Sequence, residues 1–152
     1  MHRRMRVSSY AVVATSLFLA AAGTLSQAKG QQAASSAALD YEFFKTKVQP
    51  VFLAKRQGHA RCVVCHTMNN APLHLVQLSP GSTTWNEEQS RQNFQLVQKV
   101  VVPGYEDSKL VIHPLAEQAG GDPHHGGGQQ FESKNDPDWQ TLKAFVLGAN
   151  AN

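Results

Sequence analysis

Cys62-Val63-Val64-Cys65-His66 holds the only two cysteines of the 152-residue chain. Two thiols three positions apart, followed at once by an imidazole, form the C-x-x-C-H pattern of covalent haem attachment. At this spacing both thiols can reach the two vinyl groups on one porphyrin edge and form thioethers. The histidine then falls beneath the ring, where its imidazole can serve as the proximal iron ligand. The pattern therefore predicts one covalent haem c, bound through Cys62 and Cys65, with His66 on the iron. Three other uses of the pair compete. Exported thiols oxidise readily to a disulfide. A thioredoxin-like site needs a βαβ context, and no parallel-strand pattern is visible. A zinc site needs further ligands, usually a second Cys or His pair.

The start of the chain reads as an export signal over residues 1–28. His2-Arg3-Arg4-Met5-Arg6 is basic, Ala11 to Ala22 is apolar, and Ser26-Gln27-Ala28 offers the small residues of a cleavage site. The apolar run is short for a membrane span. Membrane association is expected only if this signal stays uncleaved. Of the 14 Lys and Arg residues, Arg3, Arg4 and Arg6 lie in the signal, and none of the 11 acidic residues does. The mature chain is thus formally neutral. It lacks the electrostatic footprint of a nucleic-acid-binding protein. Export also suits the haem reading, because haem addition to such a motif follows translocation. The expected location is the periplasm.

Residues 29–38 are small and polar and read as a flexible leader. A single domain is expected over residues 39–149. Leu39, Phe43, Phe44, Val48, Val51 and Phe52 recur at helical spacing, predicting a helix over Leu39–Arg56 that kinks or restarts at Pro50. Residues 67–85 carry the breakers Pro72, Pro80 and Gly81 and read as irregular. Asn86 is a good N-cap for a second helix, followed by Glu87 and Glu88 in its first turn. Phe94, Val97 and Val101 extend one face of it, and Pro103-Gly104 is expected to end it. Ser108 to Leu115 is a short apolar stretch without a clear period. Asp136, Pro137 and Asp138 open a last helix whose apolar face is Trp139, Leu142, Phe145 and Val146, with Gly148 as C-cap.

The distal side of the haem is more open. The only methionines are Met1, Met5 and Met68. The first two lie in the signal, and Met68 is held on the proximal side, two residues after His66. A methionine ligand is therefore not expected. His125 is the first choice, since Gly126-Gly127-Gly128 would let backbone pass close to a flat ring. His124 and His113 are the alternatives. His59 and His74 read as ordinary polar side chains.

The chain resembles small haem c proteins and domains common in Acidobacteria and Planctomycetes, within the wider cytochrome c superfamily. The matching pieces are the helix before the cysteine motif, the motif itself, and Ser108-Lys109-Leu110-Val111-Ile112-His113-Pro114-Leu115. They continue through Gly120 to Gly128 and end at Asp136-Pro137-Asp138-Trp139-Gln140-Thr141-Leu142. The resemblance implies an all-α, cytochrome c-like fold of about three to four helices around one covalent haem, with long irregular loops. It also implies that Phe43, Phe44, Val48 and Phe52 face Trp139, Leu142, Phe145 and Val146.

The expected function is single-electron transfer in the bacterial cell envelope, with bis-histidine ligation and redox proteins of the envelope as partners. No side chain is assigned bond chemistry. The first alternative is a gas-binding, sensing or peroxidase-like protein with an open or labile distal site. The second is an electron-delivering subunit of a larger redox complex.

Overall fold

The first helical stretch is organised around a proline. Asp40 caps it, and its carboxylate accepts from the Phe43 N–H at 2.5 Å. The backbone is α-helical over α1 (Tyr41–Phe43), π-helical over Phe44–Val48, and α-helical again over α2 (Gln49–Leu53). Pro50 lies in the first turn of α2. In a continuous α-helix its ring would collide with the carbonyl four residues back, and it has no N–H to donate. The wider π turn just before it relieves the collision. The expected helix over Leu39–Arg56 is therefore shorter at both ends, and its break at Pro50 takes the form of the π segment. These coordinates are a computed structural model that describes residues 38–68 and 71–152. The predicted signal and nearly all of the leader lie outside the described residues.

The cysteine motif is itself a short helix, α3 (Cys62–His66). Residues 71–85 that follow contain no helix, as their breakers imply. Then α4 (Glu87–Gln98) starts at Asn86 with a capping box. The Asn86 side chain accepts from the Gln89 N–H at 2.9 Å, and the Gln89 side chain accepts from the Asn86 N–H at 3.1 Å. This helix stops five residues before Pro103. Val100 to Val102 are β-branched, and the residue before a proline avoids the α region. Val101 nevertheless stays buried, and its N–H donates to the Val97 carbonyl at 3.1 Å.

The stretch of unclear period resolves into α5 (Lys109–Ile112), followed by a 3-10 turn over Glu117–Ala119. Last comes α6 (Pro137–Val146), capped by Asp136, whose carboxylate accepts from the N–H groups of Asp138 and Trp139. The C-terminal end of α6 closes in a Schellman pattern. The Gly148 N–H donates to Phe145 and the Ala149 N–H to Ala144.

Three helical segments share one aromatic cluster. Phe44 from the π segment, Phe94 from α4 and Phe145 from α6 have ring centres 5.4 to 6.4 Å apart. Phe43 also packs on Phe145, at 6.4 Å. The expected facing of the first and last helices is present in these pairs. Near the start of α6, the Trp139 indole donates to the Val111 carbonyl at 3.1 Å and so fastens α5. The described chain is helical, and no β-strand occurs among the described residues. One isolated parallel bridge joins Leu115 to Phe131. No helix among the described residues is long and apolar enough to cross a membrane.

Candidate haem-attachment site

Within α3, Cys62, Cys65 and His66 occupy positions i, i+3 and i+4, which share one helix face. Val63 points the other way into the core, while Val64 is exposed. The α3 helix is fastened from both sides. Ahead of it, Arg56 reaches the Asp138 carboxylate at the start of α6, and its guanidinium lies over the Phe131 ring at 4.5 Å. Behind it, the Leu75 N–H donates to the His66 carbonyl at 2.6 Å.

His66 Nδ1 lies 2.8 Å from the Leu73 carbonyl oxygen. A carbonyl can only accept, so this nitrogen carries the proton and Nε2 keeps its lone pair. Burial also pushes the His66 pKa down, against the opposing effect of the Leu73 carbonyl. The ring is therefore neutral near pH 7, as a metal ligand must be. A ligand imidazole whose other N–H is held by a backbone carbonyl is a recurrent feature of metal sites.

His125 is built the same way. Its Nδ1 lies 2.6 Å from the Gly128 carbonyl, which again leaves Nε2 free. The Gly128 N–H donates back to the His125 carbonyl at 2.9 Å, closing a tight turn. Gly128 has φ +77°, a conformation that glycine adopts without strain. A Cβ on Gly126 would meet no atom within 4 Å, so no protein neighbour requires that glycine.

The imidazoles of His66 and His125 have centres 6.1 Å apart and planes inclined by 18°. Two metal–imidazole bonds of about 2 Å would separate the bound nitrogens by about 4 Å, and the ring centres by somewhat more. A ring-centre separation of 6.1 Å leaves room for one metal ion between the two imidazoles. The residues fit a covalent haem: Cys62 and Cys65 on one face of α3 would form the thioethers, and the Nε2 atoms of His66 and His125 would be its iron ligands.

His113, from the C-terminal end of α5, stands 6.3 Å from His125 with planes 15° apart. Burial lowers its pKa, partly opposed by Asp122. Asp122 Oδ2 lies 3.0 Å from His113 Nδ1, close enough for an ion pair, yet off the line of a hydrogen bond. The same carboxylate accepts from Lys109 Nζ at 2.8 Å and, through Oδ1, from the His124 N–H at 2.9 Å. The His124 side chain is exposed. The structure thus places His125 next to both His66 and His113 and leaves His124 at the surface. His74 Nδ1 lies 3.2 Å from the Met68 carbonyl, and Met68 itself is exposed.

The competing uses of the cysteines gain little from this geometry. Both are free thiols. Burial raises the Cys62 pKa, opposite to the shift of a reactive redox thiol. Among the described residues no group of three His, Cys, Asp or Glu side chains is arranged to hold a metal ion. A haem would need no such group, because the porphyrin itself supplies most of the iron's ligands. Two surface hollows occur elsewhere, one beside Arg56 and Asp138 and one beside Gln49 and Trp85. Neither is lined by Cys62, Cys65, His66 or His125.

Sequence reasoning missed the carbonyl of Leu73 and the side chain of Arg56. The first has no side-chain signature. Arg56, a charged residue six positions ahead of Cys62 at the end of an apolar stretch, was a readable signal. No family model, curated protein or solved structure matches this chain.

Proposed function

We propose that this chain is a single-haem c-type cytochrome that carries single electrons in the cell envelope. Cys62 and Cys65 would bind the haem covalently, His66 would be its proximal ligand and His125 its distal ligand. A bound haem supplies a one-electron iron couple. The chain's own residues would hold it in place, keep the His66 imidazole neutral through burial, and orient both imidazoles through backbone carbonyls.

The observation that carries this reading is the pairing of His66 with His125. Each ring has its Nδ1 tied to a backbone carbonyl, and the two lie nearly parallel with centres 6.1 Å apart. Support for a cytochrome c-like arrangement comes from the packing of the first and last helical segments through Phe43, Phe44 and Phe145. The envelope location rests on the sequence of residues 1–28. Replacing a methionine ligand by histidine should give a low potential, since methionine ligation raises it.

A second reading, a labile distal site that binds gases or peroxide, draws on one observation. His125 sits on an irregular turn outside any helix, and such turns open more easily than helices. One experiment separates the two. The full chain is produced in a host that matures haem c, and the ferrous visible spectrum is recorded with and without carbon monoxide. A low-spin spectrum insensitive to carbon monoxide is expected. A shift with carbon monoxide favours the labile site, and absence of covalent haem overturns both readings.

A further inference from the structure

The loop that holds His66 is anchored most closely to it at Val76, with Gln89 donating further along to the Gln77 carbonyl at 3.0 Å. Residues 71–85 contain no helix, yet Leu73 and Leu75 both hydrogen-bond to His66, one to its ring and one to its backbone. An irregular segment cannot fix an imidazole unless something fixes the segment. The next residue, Val76, supplies the anchor. Its N–H donates to Asn93 Oδ1 at 2.7 Å, and its carbonyl accepts from Trp85 Nε1 at 2.7 Å. Both backbone polar groups of Val76 are thus met by side chains.

The two side chains that meet them are rigidly placed. Asn93 is fully buried in the middle of α4, and Trp85 is 7% exposed just ahead of the Asn86 capping box. A buried amide and a buried indole are costly unless hydrogen-bonded, so their bonds to Val76 are strongly favoured over solvent. The helix that carries Asn93 is held in turn by Phe94 in the aromatic cluster. A continuous path of contacts therefore runs from the core through Asn93 and Trp85 to Val76, then to Leu75 and Leu73, and so to His66.

We infer that Asn93 and Trp85 are positioning residues for the proximal imidazole: by clamping Val76 they hold the Leu73 carbonyl on His66 Nδ1. This rests on the proposed role of His66 as an iron ligand. The strength of the Nδ1–H bond sets how basic the ligand is. Loosening the clamp should weaken that bond, make His66 a poorer donor and raise the reduction potential.

The test uses the full chain with covalent haem, as wild type and as Asn93→Leu, Trp85→Phe and Val97→Ala. The first removes the acceptor for the Val76 N–H, and the second removes the indole donor while keeping an aromatic ring. Val97→Ala, one turn further along α4, loosens the core without touching Val76 and serves as the control. In the ferrous protein, proton exchange at His66 Nδ1–H and at the Leu75 N–H should quicken by about tenfold in Asn93→Leu and less in Trp85→Phe. The potential should rise in the same order and stay put in Val97→Ala. If Asn93→Leu fails to fold, Trp85→Phe carries the test alone. Faster exchange at Val76 with His66 exchange and potential unchanged overturns the clamp while the haem reading stands. A wild-type chain without covalent haem on a denaturing gel overturns the reading and the clamp with it.

Discussion

Gly121 passes so close to Leu115 that a Cβ on the glycine would lie 1.9 Å from the Leu115 carbonyl oxygen. The contact is backbone against backbone, so no side-chain rotation relieves it. Two hydrogen bonds lock it in place, from the Gly121 N–H to Ala116 at 2.9 Å and from the Asp122 N–H to Ile112 at 3.0 Å. Through it the segment that leads to His125 is pressed against the end of α5. Gly121→Ala should push that segment away and displace His125 while sparing haem attachment. The expected outcome is a normal covalent haem band on a denaturing gel with a perturbed low-spin spectrum. A wild-type spectrum in Gly121→Ala would show that His125 does not depend on this contact.

Asp122 gives the same segment a pH dependence. The hydrogen bond from Lys109, then that from the His124 N–H, hold its carboxyl down at about 2, below the ordinary 3.8. A carboxyl depressed in the folded state stabilises it above the unfolded value, and this contribution is lost as pH falls through the folded value. The Lys109–Asp122–His124 contacts should therefore be intact above about pH 4 and weaken toward pH 2. Following the His124 amide resonance through an acid titration checks this. Wild type should titrate in that window, and Asp122→Asn should not.

Much of the frame was legible because its signals are local. Asn86 followed by Glu87 and Glu88, and Asp136 with Pro137, mark helix starts within a single turn, and both starts lie where the residues put them. The cysteine motif is local in the same sense. Its helical form brings Cys62, Cys65 and His66 onto one face. The π winding of Phe44–Val48 was not legible, because its residues keep an apolar period that fits an ordinary helix. Nor was the end of α4 at Gln98, where a valine run outweighed the more obvious Pro103. The clamp on His66 was least visible, since it runs through backbone groups of Leu73, Leu75 and Val76 that leave no mark on residue type.

The thioether proposal makes a plain prediction. Cys62→Ala with Cys65→Ala should abolish covalent haem, so that the haem-stained band on a denaturing gel disappears. The fold should survive, because both thiols are only half-buried and alanine keeps an apolar Cβ where Cys62 packs against the core. Circular dichroism would check that the helical content is retained. Haem that stays with the denatured double variant would sink the attachment scheme.

The two histidine neighbours of His125 turn the distal assignment into a comparison. His125 is 6.1 Å from His66 and 6.3 Å from His113, so removal of any one ring leaves the remaining two in different relations. If His125 is the distal ligand, His125→Ala should leave a five-coordinate ferrous haem that binds carbon monoxide. His113→Ala should keep the low-spin spectrum, because His113 then only flanks the ligand and contacts Asp122. The reverse pattern would move the ligand to His113 and reduce His125 to a neighbour of the iron site. If both single variants stay low-spin and only the double variant opens to carbon monoxide, the two rings can substitute for each other. The spacing makes that outcome the less expected one. Taking the place of His125 would require the His113 ring to move, while the His113 N–H ties its backbone to the Lys109 carbonyl at 3.2 Å.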